Sequence, residues 1–443
     1  MDDRQQQRPA LWFRPGEVAT GQGVAGLYRV NELGQPEVTL HGSWSDGPGM
    51  VFSAPQDIPL LHGSASGKGI TAVGNRLSQS HRDLFTDRQD TTLIPRYTIE
   101  GRFYLNEEEL ALTQVRVRFW DQDAWSLWDA FVNENPDRMS FPPKVGFREP
   151  LKKTAEVAGG SISIEDDSIC RSTTTPNGWM MQSYSAFTLT FTEPVSIDDV
   201  FMRWLLPLQF LIMSATGRPT GIRALRGTND AWIIGGEEPG LTDRWVNIRT
   251  SHALRPQGDI DQHDLLHLLP DFDFARQIPL VLDVVDRHRY SVEHFAVLRG
   301  GGAEGHLARL VAAAQLVESF DRSLHRAPGR VYLEDRLLRL NQESGELLDE
   351  IIGHKRWAKD VVRVRNIVVH GLETSEQLTR DVRSLHVANE ILLLLFEARL
   401  LVELGFDKAK AKGLIERRMR HWQIKAAITE NYAHLEAMAK RDV

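Results

Sequence analysis

The chain has 443 residues, 42 % hydrophobic and 25 % charged, with a formal net charge of −8 and one cysteine, Cys170. That length exceeds one ordinary core and predicts two or three domains of a soluble globular protein. A lone cysteine excludes an internal disulfide and a cysteine-rich zinc site, and the net charge argues against a protein that coats nucleic acid.

The first half reads as β structure. Short segments rich in Val, Thr, Phe, Tyr and Trp alternate with turn residues, as in Val38–His41, Arg96–Tyr104 and Gln114–Trp120. The last of these alternates apolar and basic side chains, as a half-exposed strand does. Ser161–Ile164 and Ser185–Phe191 continue the pattern, and Ala231–Ile234 closes it. One helix interrupts: Ser196 is its expected N-cap, Asp198 and Asp199 follow in the first turn, and Gly217 to Gly221 ends it. From about residue 260 apolar residues recur three and four apart, and helices are expected near 261–269, 277–298, 304–326, 332–351, 354–371, 375–404, 407–420 and 422–440. The fold class is α+β multidomain: a β-rich N-terminal domain over 1–255, a helical connecting segment over 256–300 ending at Gly300-Gly301-Gly302, and an all-α domain over 301–443. The chain opens Met1-Asp2-Asp3, without a signal pattern. Its longest apolar stretch, Trp204–Met213, is too short to span a bilayer, so a cytoplasmic protein with no membrane partner is expected. The acidity is uneven: from Gly300 onward there are 23 Lys+Arg against 21 Asp+Glu, and before it 29 against 39. That asymmetry permits an RNA substrate at the C-terminal end.

The helix expected over 354–371 carries the chemistry. Trp357, Val361, Val364 and Val368 form one apolar stripe. Lys359, Arg363, Asn366 and His370 form another, facing roughly the opposite way. Gly371 is a natural stop. Arg365 flanks the polar stripe, and its long stem can bring the guanidinium forward. RNA supplies its own nucleophile, the 2′-OH. An imidazole near neutral pKa can take that proton or protonate the leaving 5′ oxygen, arginine can stabilise the charge growing on phosphorus, and Asn366 can orient the imidazole or hold a phosphate oxygen. As a bare string Arg-x4-His is common, and a polar helix face is usually only solvated. The asparagine after the arginine, the glycine after the histidine and the all-α setting distinguish this one. Because Arg365 and His370 lie about 140° apart on an ideal helix, one copy makes a poor pocket, and a second copy is expected.

Other patterns yield less. Gly63 to Gly69 has three residues, not four, between its glycines for a phosphate-binding loop and reads as a flexible loop. His263 and His267 lie one turn apart without a third ligand and read as an interfacial or solvated helix face. Trp44, Trp120, Trp125 and Trp128 read as β-domain core. Acids beside Cys170 disfavour a reactive thiolate. Lys408 to Lys412 and Arg417 to Arg420 read as a solvated face before a guide for RNA.

Arg365-Asn366-Ile367-Val368-Val369-His370-Gly371 resembles the active-site motif of HEPN domains, and Leu310–His325 is similar to the first helix of the ApeA-like HEPN group. The front, with Gly26–Val30 and Val38–Gly42, looks like the N-terminal domain found with it. The resemblance implies an anti-phage abortive-infection endoribonuclease: a homodimer with one composite, metal-independent site, no cofactor, silent until a phage-derived trigger acts. It implies Arg365 and His370 as the catalytic pair, Asn366 as the polar second position and Glu318 as a supporting acid, with Arg363 and Lys359 beside them. The product expected is a 2′,3′-cyclic phosphate. A transfer RNA is one candidate substrate, since its loop bases are unstacked. Two rivals stand beside it. In the first, the helical domain is a target or partner of a nucleotidyltransferase, which the absence of a tyrosine near the motif weakens. In the second, it is a non-catalytic dimerisation or RNA-binding scaffold, and the β domain binds a phage-derived or small ligand.

Overall fold

The computed structural model describes residues 7–18, 21, 23–32, 34–42, 58–82, 89–101, 105–106, 109–133, 145–172, 179–232, 245–251, 258, 260–299, 305–325, 331–370 and 381–441. Two units emerge. One comprises residues 1–122, 128–202 and 220–257; the other comprises 123–127, 203–219 and 258–443.

Alternating apolar and polar residues make the first unit β-structured. Its strands in chain order are β1 (Arg8–Phe13), β2 (Val24–Val30), β3 (Pro36–His41), β4 (Ile58–Ala65), β5 (Lys68–Arg82), β6 (Gln89–Gly101), β7 (Ala111–Phe119), β8 (Phe131–Asn133), β9 (Val145–Phe147), β10 (Lys152–Val157), β11 (Gly160–Asp166), β12 (Ile169–Ser172), β13 (Trp179–Gln182), β14 (Ser185–Ser196), β15 (Ile222–Thr228) and β16 (Val246–Thr250). Six close into an antiparallel barrel in the order β6-β3-β2-β1-β4-β5 and back to β6. The length of β6 makes this possible. One of its edges pairs β5, while the other pairs β3 through residues 90–93 and β16 through 97–100. From β16 the sheet runs on through β15, β7, β14 and β11 to β10. In β7 Leu112, Val115, Val117 and Phe119 are buried, with Gln114, Arg116 and Arg118 on the other face, which is the alternation its sequence shows. Closure leaves the barrel strands no free edge.

Trp12, Tyr28, Val38, Leu61, Ile70 and Ala72 fill the barrel. The segment from Gly63 to Gly69 is part of this barrel and no flexible loop. Ser66 and Gly67, both at positive φ (51° and 73°), form the turn of the β4–β5 hairpin. Gly63 lies under Trp12, and a Cβ there would come within 2.5 Å of the indole. Tyr28 donates to Glu100 at 2.9 Å, and burial together with Glu100 holds its phenol above the ordinary range. Ala231 and Trp232, expected to open a strand, lie in the 3-10 turn Asp230–Trp232 instead; 233 and 234 lie outside the described residues.

The helices are α1 (Gln122–Ser126), α2 (Ile197–Asp199), α3 (Leu206–Thr216), α4 (Phe274–Arg287), α5 (Arg289–Arg299), α6 (His306–His325), α7 (Leu333–Glu343), α8 (Leu347–Ile352), α9 (Trp357–His370), α10 (Val382–Glu403), α11 (Lys408–Arg417) and α12 (Met419–Ala439). Ser196 caps α2 as expected, accepting from Asp199 N, and α3 stops at Gly217 in the left-handed region. From α4 onward all are in the second unit. α10 is apolar almost all round and buried along most of its length, the mark of a central helix. Two of the helices expected after residue 260 are each two. That near 277–298 breaks at His288, between α4 and α5. That near 332–351 breaks at Gly345 and Glu346, both at positive φ, because Asn341 turns its side chain to accept from Leu348 N and so starts α8. The helix expected at 261–269 is two 3-10 turns, Gln262–Asp264 and Leu269–Asp271. Between them His267 is wholly buried and no solvated face: it accepts from Trp125 Nε1 at 3.3 Å and stacks on Phe272. Gly300–Gly302 and Gly371 lie outside the described residues.

Candidate functional site

The position of α9 follows from its ends. At its start Trp357 donates to Asp349 of α8 at 2.8 Å. The end of α7 lies near α8, and Glu343 there meets His325 at the end of α6 and Arg399 late in α10. The start of α9 therefore shares one end of the bundle with the C-terminal ends of α6, α7 and α10. Fourteen residues carry α9 about 20 Å along, so His370 lies towards the opposite end, where α6 and α10 begin. There Arg441 forks onto Asp381, the residue before α10, at 2.7 and 2.8 Å.

Trp357, Val361 and Val364 are buried as the apolar stripe predicts, but Ile367 completes the buried side and Val368 is half-buried. Asp360 explains the turn of this face. It is wholly buried and accepts from Tyr432 of α12 at 2.9 Å, drawing α12 over the Asp360–Ile367 side. Burial, and then Asp360, pushes the Tyr432 phenol up, so it stays a donor. Arg363, at the edge of this cover, donates to the carbonyl of Ala439 at 3.2 Å and ties down the end of α12.

The polar face is open. Lys359 and His370 are exposed and Asn366 is half-buried. Arg365 reaches round the helix, its Nη1 donating to Asn366 Oδ1 at 3.1 Å. Its Nε is buried and has no hydrogen-bond partner among the described residues. The guanidinium is thus brought onto the stripe that ends in His370, and Asn366, whose oxygen it takes, has two N–H donors besides. Among the described residues no side chain pairs with His370. Glu318 lies on α6 and accepts from Arg322 at 2.6 Å, an i,i+4 pair on its own helix. The site as placed thus brings Arg365 and Asn366 together, leaves Lys359 and His370 open on the same stripe, and gives Arg363 and Glu318 neighbours of their own.

The basic stretch after α10 is committed to the fold. Lys408 reaches the carbonyl of Gln342, Lys410 that of Asp271 and Lys412 the carboxylate of Glu350. Arg417 forks onto Asp271, and Arg418 is buried against Glu397. Among the described residues no group of three or more His, Cys, Asp or Glu could hold a metal ion, and no helix is long and apolar enough to cross a membrane.

Sequence reasoning missed a second constellation at the same end of the bundle. His306, at the start of α6, and His386, in the second turn of α10, have ring centroids 5.9 Å apart at 83°. Arg309 and Glu390 follow one turn later on each helix. Two single histidines far apart in the chain carry no spacing signal.

A strand-rich unit followed by a helical unit whose motif helix ends Arg-Asn-x-x-x-His defines a HEPN-type two-part protein. Residues 11–232 match ApeA N-terminal domain 1 and residues 310–410 match the Apea-like HEPN domain, so the chain belongs to the ApeA-like HEPN family. HEPN domains generally act as ribonucleases and typically bind RNA and dimerise. No curated protein and no solved structure matches the chain.

Proposed function

We propose that the protein is an abortive-infection endoribonuclease cutting RNA without a divalent ion, at a site built from two copies of the α9 face. Residues 301–443 cut, 1–255 sense a phage-derived trigger and restrain the cutting domain, and 256–300 connect them, in the cytoplasm. The observation that carries the reading is the Arg365–Asn366 contact, which sets a guanidinium on the open stripe ending in the exposed His370. Neutral His370 takes the 2′-OH proton, and the 2′ oxygen attacks the adjacent phosphorus. Arg365 stabilises the charge that builds on the phosphoryl oxygens. The P–O5′ bond breaks, and the His370 imidazolium so formed gives its proton to the 5′ oxygen. The products are a 2′,3′-cyclic phosphate and a 5′-OH. Asn366 holds Arg365 in place, and Lys359 extends the charge of the face.

Mixing two inactive variants tests the composite site. Arg365→Ala and His370→Ala chains are each expected to be inactive on RNA in the presence of a chelator. Coexpressed, they are expected to cleave, because one of the two half-sites in the mixed dimer holds an arginine from one copy and a histidine from the other. Absence of rescue, with mixed dimers demonstrated by mass, places both groups in one protomer and rejects the composite site. Equal cleavage by the native chain and His370→Ala rejects the enzyme.

A further inference from the structure

We infer that His306, Arg309 and His386 form a second binding site for the RNA backbone, beside the motif; this rests on the ribonuclease reading and names further substrate-binding residues for it. The chain carries −8 overall, so no global field draws RNA to it, and local donors must hold the strand on either side of the cut phosphate. The cations of α11 do not serve, since Lys408, Lys410, Lys412 and Arg417 are held by groups of their own unit. The starts of α6 and α10 are placed to serve: they lie at the end of the bundle towards which α9 runs.

The local chemistry fits a phosphate. His306 and His386 present two imidazoles from two helices, 5.9 Å apart. The helices are fastened at that point by Asn389, whose amide donates to the His306 carbonyl at 3.2 Å. Arg309, one turn after His306, has a buried Nε with no partner, and among the described residues no acid pairs with it. Beneath them Glu390 is 5 % exposed, and no hydrogen bond or ion pair reaches it among the described residues. Other buried carboxylates of this unit are knotted to the fold: Asp321 to Arg336 and Arg339, Glu397 to Arg418, Asp360 to Tyr432. Glu390 is left to balance whatever charge the imidazoles take up. Burial first, then His386 and Arg309, lowers the pKa of His306, and Glu390 opposes the shift. A bound phosphate adds the negative charge that lets an imidazole hold its proton. Two imidazole N–H groups and a guanidinium then converge on one anion with a carboxylate behind them, a set of charge-assisted donors of the kind that binds phosphate.

The test is binding of a fluorescein-labelled single-stranded RNA of mixed sequence to the full chain carrying His370→Ala, which separates binding from cutting. Adding His306→Gln with His386→Gln is expected to weaken binding by about tenfold or more, the scale of removing one charge-assisted hydrogen bond. The slope of log affinity against log salt should fall by about 0.7 for each phosphate no longer neutralised. Arg309→Gln, at a half-exposed position, is expected to act in the same direction and stands in should the double variant not fold. Unchanged affinity and salt slope in either folded variant overturns the inference, as does absence of binding to the His370→Ala chain at low salt. Loss of binding in these variants, together with no cleavage by the native chain, supports the backbone-binding site and rejects the ribonuclease reading. Cleavage by the native chain with binding indifferent to His306 and His386 does the reverse.

Discussion

The helical unit holds two concentrations of charge treated in opposite ways. Around Asp321 both carboxylate oxygens are taken. Arg336 donates to its Oδ2 at 2.6 Å, Arg339 reaches both oxygens, and His325 meets Oδ1 at 3.0 Å and Glu343 at 2.8 Å. Asp321 is wholly buried, and such a charge survives in a core only with its hydrogen bonds filled. At the end of α9 the groups are half-buried or exposed. Among the described residues Arg365 has one side-chain hydrogen bond, to a neutral amide, and no side chain pairs with the exposed His370. A knot that satisfies itself holds the bundle together and has nothing to offer a ligand. A face with donors left over adds little to folding and is available for chemistry.

Paired variants can break that contrast. His370→Ala is expected to lower single-turnover RNA cleavage by about 10²–10⁴-fold, the range of a lost general acid–base group, with Tm unchanged. Asp321→Asn is expected to cost about 3–5 kcal/mol by urea unfolding, because two guanidiniums lose their carboxylate in the core, while cleavage below the unfolding transition stays near native. If Asp321→Asn abolished cleavage in a fully folded chain, or His370→Ala unfolded it, the division between the two regions would be wrong.

Much of this plan is legible in the sequence, and the losses have physical causes. Alternation marks β7, β11 and β14, and three-four spacing marks the helical half, because both record burial by near neighbours. The motif helix, expected at 354–371, spans Trp357–His370. Barrel closure is not legible, since it depends on which distant strand each edge of β6 meets. Nor are the breaks at His288 and at Gly345–Glu346 visible to a periodicity that carries across them. Ile367 takes the place expected of Val368 because Tyr432, far along the chain, pulls α12 over that side. For the same reason the His306–His386 pair has no trace in spacing.

Acid should tell the buried groups from the open ones on a smaller scale. Burial lowers the pKa of His267 to about 3 from 6.5. The unfolded chain therefore binds the extra proton across that window, and stability falls as pH drops from about 6.5 towards 3, by about 1.4 kcal/mol per pH unit. His267 accepts from Trp125 at Nδ1, so in its neutral form the proton is on Nε2, which faces Ser214 Oγ at 3.5 Å. His267→Gln is expected to flatten the loss of urea stability between pH 6 and pH 4, whereas the exposed His370→Ala leaves the slope as it is. An equal slope in all three chains would show that His267 is protonated without cost and that its burial is relieved on acidification.

The smallest effect expected is at the foot of the motif helix. Trp357→Phe keeps the ring in the core and removes the Nε1–H bond to Asp349, a loss of about 1 kcal/mol. Asp349 also lies 3.7 Å from Lys355, so its carboxylate is not left without a partner, and only the void beside the smaller ring adds to the cost of the bond. Because the anchor lies about 20 Å from His370 along α9, cleavage should be unaltered. A fall in cleavage rate larger than the fall in stability would mean that the register of α9, and not only its exposed end, sets the site. The open face would then depend on the packed one it was contrasted with.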